Sequence, residues 1–205
     1  HTLVSKQYNS TGTALSSVIS SDQSFSIGVG HPTNDDSANR VNISVTVSAS
    51  NFDNTSDETA LTAIANAINT AMTSAVVNDT IESDEIVNAS VVSEQNGKSR
   101  LVLTSAKTGY TYRQNFTDTS GLLNSLGVST STQSSGVNGG YITSEDNLNS
   151  LFTMDGLSFS RDSNKVSDAL TGVTFNLLQT FSSAETITVV KDIESVKSSV
   201  NEFIS

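Results

Sequence analysis

Residues 55–103 read TSDETALTAIANAINTAMTSAVVNDTIESDEIVNASVVSEQNGKSRLVL, and their patterning decides the fold. Thr55-Ser-Asp-Glu58 matches a capping box, in which a hydroxyl side chain and a carboxylate three residues on satisfy free backbone N–H groups. Behind it Leu61, Ile64, Ala65, Ile68 and Met72 recur at three and four residues, which predicts an amphipathic helix over roughly 56–74. The period then changes to two: Val87, Ala89 and Val91 alternate with polar residues. Asn96-Gly97 follows, a pair suited to a turn whose central positions both need positive φ. Leu101 and Leu103 form the returning strand.

Upstream, Phe25, Ile27 and Val29 alternate, and Val41, Ile43, Val45 and Val47 alternate again, as a strand and its hairpin partner. The expected unit is ββαββ, with one helix lying on one antiparallel sheet. Residues 1–24 are weakly patterned and read as extended connector and edge structure. Thr119 to Leu126 suggests a short helix closed by Gly127, and the Ser/Thr/Gly-rich stretch 129–140 reads as linker or exposed loop.

Further on, LFTMDGLSFS (151–160) places a type I′ turn at Asp155-Gly156. That turn sets Met154 against Leu157 and Phe152 against Phe159, on one face. Val173, Phe175 and Leu177 alternate as a further strand, as do Ile187 and Val189. Ile193, Val196, Val200 and Phe203 then form a stripe at helical spacing that predicts a coiled-coil or bundle helix.

Composition narrows the function. A net charge of −11 with ten scattered Lys and Arg residues argues against nucleic acid and anionic membrane surfaces as partners. The hydrophobic fraction is 35 % and the charged fraction 15 %, a balance that suits thin sheets with Ser/Thr/Asn-rich faces. No run approaches the roughly 20 uninterrupted apolar residues of a membrane helix. The chain has no Cys, which removes thiolate metal sites and cysteine nucleophiles.

Candidate chemistry is sparse. His1 and His31 stand apart from each other and from carboxylates at ligand spacing. Gly28-x-Gly30 lacks the third glycine and following helix of a dinucleotide site. Asp35-Asp36 and Glu82/Asp84/Glu85 lack the oxygen spacing of a calcium loop. The serines have no nucleophile elbow around them. The reading is a non-catalytic chain with no catalytic, metal-binding or cofactor-binding residues and no cofactor. Its motif residues Ile68, Asn69, Asn96, Gly97, Phe152, Asp155, Gly156 and Phe159 are structural.

Residues 25–109 resemble the hook IN motif of flagellin-like proteins, named for an Ile-Asn in its helix, here Ile68-Asn69. LFTMDGLSFSRDSNKVSDALTGVTFNLLQ (151–179) is similar to the segment that opens the C-terminal half of the bacterial flagellar filament capping proteins, the hook-associated protein 2 family. The resemblance implies outer domains without the coiled-coil legs. It also implies a secreted structural role at the flagellar filament tip, in a homo-oligomer that promotes flagellin polymerisation. Flagellin subunits are then partners, and host mucin or glycan would be a partner if such domains serve as adhesins. The alternative is an exposed, adhesive domain of a flagellin-like or hook-associated protein. A hydrolase or lyase on a β scaffold would need a constellation of acid and base that the sequence lacks.

The expected fold is α+β, mainly β: two small domains of antiparallel sheets, with one amphipathic helix packed on the inserted domain's sheet. Residues 1–26 plus 141–192 would form a base outer domain and 27–140 the inserted one, with 193–205 beginning the leg helix.

Overall fold

In the computed structural model, residues 87–105 fold back on themselves as β5 (Val87–Glu94) and β6 (Lys98–Ser105), paired antiparallel along their whole length. Residues 2–30, 41–51, 55–128 and 148–188, with 197 and 202–204, are the part of the chain that the structure describes. The β5–β6 turn keeps φ at +65° for both Asn96 and Gly97, within a three-residue connection between Glu94 and Lys98. Asn tolerates the left-handed region better than other residues with a Cβ, and Gly carries no penalty there.

The other edge of β6 is occupied by the N-terminus. Strand β1 (Thr2–Val4) pairs with Val102–Thr104 and β2 (Tyr8–Asn9) with Lys98–Ser99. Ser5 spans the gap between them: its N–H donates to the Leu101 carbonyl and its Oγ accepts the Leu101 N–H, both at 2.9 Å. A second sheet has the order β4-β3-β7, from β3 (Gln23–Val29), β4 (Val41–Val47) and β7 (Asn115–Thr117). Its hairpin register runs from Gln23 opposite Val47 to Val29 opposite Val41.

The helix, α1 (Asp57–Val77), packs on β4, β5 and β6. Leu61, Ile64, Ile68 and Met72 are buried with Phe25, Ile27, Ile43, Val45, Leu101 and Leu103 in one core. Each such Leu or Ile contributes about 1.5–3 kcal/mol by leaving water. By length and mean hydropathy alone α1 would pass as a membrane span, but its apolar stripe is spent on these sheets. The strands expected in one sheet therefore lie in two. The reason is edge occupancy: β6 uses its second edge on β1 and β2, β3 uses its second edge on β7, and α1 bridges the two sheets.

The cap of α1 sits one residue later than its motif suggests. Ser56, extended at φ −154°, is the N-cap: its Oγ accepts the Thr59 N–H, and the Thr59 hydroxyl accepts the Ser56 N–H, both at 3.1 Å. A Thr hydroxyl thus replaces the expected carboxylate, and Glu58 instead accepts from Ser93 Oγ at 2.8 Å. A short helix, α2 (Leu122–Leu126), starts later than the expected Thr119. Asp118 holds the N–H groups of Leu122 and Asn124, and Gly127 closes the helix at φ +74°.

Residues 148–188 carry two hairpins, β8 (Ser150–Met154) with β9 (Leu157–Arg161), and β10 (Lys165–Leu170) with β11 (Val173–Asn176). Strand β10 was not marked by any apolar alternation, and its turn uses Gly172 at φ +81°. Leu177 falls just beyond β11, and Ile187 is in no strand: residues 184–188 carry no regular secondary structure and Ile187 is exposed.

The antiparallel α+β, mainly β, class holds. The expected grouping of 1–26 with 141–192 does not match the pairing. Leu3, Tyr8, Leu15, Ile19 and Phe25 enter the core of the α1 unit, because β6 and β4 offer the edges that 2–9 and 23–29 need. His1, His31, Asp35-Asp36, the 129–140 stretch, Val189, Ile193, Val196 and Val200 lie outside the described residues.

Candidate assembly surface

Side chains singled out in the sequence divide into those that shape the sheets and those that face outward. Ile68 is fully buried in the core. Asn69, next to it on α1, turns to β5: Oδ1 accepts the Ala89 N–H at 2.9 Å and Nδ2 donates to the Ala89 carbonyl at 2.8 Å. The Ile-Asn pair thereby packs and registers α1 on β5. Asn96 and Gly97 form the turn at the far end of that hairpin.

Phe152, Asp155, Gly156 and Phe159 come together on the β8–β9 hairpin. Asp155 at φ +51° and Gly156 at φ +82° make the turn. Phe152 lies opposite Phe159 and Met154 opposite Leu157. The two phenyl rings are stacked, with centroids 5.0 Å apart and planes 9° from parallel. The Arg161 guanidinium sits 5.6 Å from the Phe159 ring and pairs with Asp168 at 2.9 Å. That link ties β9 to β10. A shallow, open concavity of about 350 Å³ lies on this hairpin, lined by Leu151, Phe152, Thr153, Ser158, Phe159 and Ser160.

Several apolar residues of this segment stay in solvent. Leu151, Leu157, Leu170, Leu178, Phe181 and Ile187 are exposed, Leu178 at 91 %. Among the described residues of this unit only Val166 reaches full burial as a hydrophobic side chain. Two thin hairpins bearing outward Leu and Phe are suited to contact another protein surface. Leu178 and Phe181 escaped the sequence reading because they stand outside any alternation; the one visible sign was the Leu177-Leu178 doublet.

The acidic loop is satisfied internally: Glu85 is buried and accepts the Glu82 N–H at 2.8 Å, while Asp84 pairs with Lys107 at 2.6 Å. That ion pair is the leading reason the Lys107 pKa is raised above its usual value. Gln7 and Arg100 hydrogen-bond Glu94 and lower its pKa, Gln7 foremost. Burial, reinforced by the Asp57 carboxylate, pushes the Tyr8 hydroxyl up to about 12. Among the described residues no group of three or more His, Asp or Glu side chains could hold a metal ion.

The described residues thus form antiparallel sheets with one main helix, an α+β, mainly β fold, and leave several apolar side chains of 148–188 exposed. Residues 147–205 match the family model "Flagellar hook-associated protein 2 C-terminus". The fold is shared with the D1-D2-D3 domains of the flagellar cap protein FliD from Escherichia coli, at TM-score 0.62 and 24 % identity, covering 99 % of this chain and 51 % of that one. It is shared also with the D2-D3 domains of the same protein, at TM-score 0.54 and 23 % identity, covering 89 % and 77 %. FliD (HAP2) from Pseudomonas aeruginosa PAO1 matches at TM-score 0.55 and 26 % identity, covering 99 % and 84 %. None of the curated proteins matches the chain by sequence. Residues 147–205 are thus similar to the C-terminal part of flagellar hook-associated protein 2, and the whole chain has the fold of these cap proteins. It spans about half the length of the three-domain Escherichia coli structure.

Proposed function

We propose that this chain supplies the outer domains of a flagellar filament cap, a secreted, non-enzymatic protein that works at the filament tip as a homo-oligomer and guides flagellin subunits into place. The observation that carries the reading is the match of residues 147–205 to the hook-associated protein 2 C-terminus, on a chain whose fold follows cap proteins over nearly all its length. The exposed apolar residues on the same segment support it, since a cap must touch neighbouring subunits through surfaces that are not sealed inside one chain.

The division of labour follows from the two units. On this reading the described residues among 2–128, which share one core, are the body, and 148–188 the contact segment. The Ile68-Asn69, Asn96-Gly97, Asp155-Gly156 and Phe152/Phe159 motifs keep these sheets in shape and do no chemistry. An adhesive role toward mucin or glycan has no observation in its favour.

The test is genetic. Deleting the gene in its source bacterium should abolish filaments and release unpolymerised flagellin into the medium, and a plasmid copy should restore both. Full-length filaments in the deletion strain would overturn the reading.

A further inference from the structure

We propose that residues 108–111 are a clasp that fixes the angle between the two units. This loop leaves β6 and is gripped from both sides. On one side Gly30, at the end of β3, lies so close that a Cβ there would sit 1.8 Å from the Thr111 carbonyl oxygen. On the other stands Asp162, in the connection between β9 and β10. A Cβ on Gly109, whose φ is +92°, would fall 2.2 Å from the Asp162 Oδ1. Glycine is required at both points by close approach.

Hydrogen bonds then close the grip. The Thr108 hydroxyl donates to the Asp162 carbonyl at 2.6 Å, and the Thr111 hydroxyl donates to Asp162 Oδ2 at 2.6 Å. The Thr111 N–H reaches Oδ1 of the same carboxylate at 3.3 Å. The Tyr110 N–H donates to Asn149 Oδ1 at 2.7 Å, and Asn149 Nδ2 donates on to Ser160 Oγ in β9 at 3.0 Å. The loop is itself stiffened: the Arg113 guanidinium lies 3.7 Å from the Tyr110 ring and donates to the Tyr110 carbonyl at 2.8 Å.

These contacts matter because little else joins the units. Among the described residues, β8 and β9 pack chiefly on each other, as do β10 and β11, without extensive contact to α1 or β1–β7. Units joined by a small polar interface reorient by default. Here a hydroxyl-to-carboxylate bond, the stronger charge-assisted kind, replaces a hydrophobic seam. The exposed Leu157 of β9 is thereby presented at a set angle to the α1 body.

The chain has no native cysteine, so two can be introduced for spin labels, at exposed Asn66 in α1 and exposed Ser158 in β9. Pulsed electron-paramagnetic-resonance distances between Asn66→Cys and Ser158→Cys should give one narrow peak. Adding Thr108→Val, Thr111→Val and Asp162→Ala should widen that distribution at least about twofold, as expected for units freed to move. Thr111→Ser alone, which keeps the hydroxyl, should keep the narrow peak, as should Asp168→Asn, which breaks only the Arg161 pair. Circular dichroism melts would check that each variant remains folded. An unchanged narrow peak in the triple variant, or a broad one in the parent, would overturn the clasp.

Discussion

Asn69 serves Ala89 as a neighbouring strand would, accepting its N–H and donating to its carbonyl with one planar amide. Ala89 lies opposite Leu103 in the β5–β6 ladder at a non-hydrogen-bonded pair, and its two backbone groups turn to Asn69, away from β6. They lie on an edge that would otherwise be open to any passing strand. A helix side chain closes it.

Replacing Asn69 by Leu should strand both backbone groups of a nearly buried residue, at a cost of about 2–4 kcal/mol. Urea denaturation at constant m-value measures this, and light scattering at high concentration should rise as the edge opens. Asn69→Asp keeps the acceptor but loses the donor, so it should fall between. A midpoint unchanged in Asn69→Leu would show that the amide adds nothing.

Capping makes a register-specific expectation. Ser56→Ala removes the acceptor for the Thr59 N–H and should cost about 1 kcal/mol. Thr55→Ala, one residue outside the cap, should stay within about 0.5 kcal/mol. The reverse order in thermal or urea unfolding would place the cap at Thr55.

Alkaline pH should unfold the N-terminal strands. The buried Tyr8 hydroxyl holds its proton to about 12, above the ordinary tyrosine value, so burial favours the neutral form. The stability this contributes is complete below the unfolded value near 10 and is lost as pH rises through about 12. Absorbance at 295 nm should show one of the four tyrosines ionising late, and Tyr8→Phe should flatten stability across that window. A single common transition near 10 would contradict it.

The contact face should reveal itself in association. Leu178→Ser with Phe181→Ser removes two exposed apolar side chains and touches no packed core. Sedimentation should show weaker self-association, with the melting temperature unchanged. If association stays the same, these residues lie off the interface.

Local patterning made much of this fold legible. The spacing of Leu61, Ile64, Ile68 and Met72 marked α1, and Asn96-Gly97 and Asp155-Gly156 marked their hairpins, since each signal lies within a few residues of its effect. The pairing of β1 and β2 with β6 was invisible because it depends on which edge of a distant strand is vacant. The same holds for the two-sheet arrangement. Strand β10, KVSDAL, has too few apolar positions to alternate, and its edge pairing with β11 rests on the backbone. In the assembly surface the Phe152/Phe159 stack followed from the turn, but Asp162 and Thr111 carry no local sign of their meeting.

Leu3 stands opposite Leu103 across β1 and β6. A chain delivered amino-end first therefore cannot complete the pairing of its first strand until Thr104 has arrived, whatever its local preferences. The amino-terminal stretch must wait uncommitted, and the last strand of that sheet to emerge is the one that gathers the others.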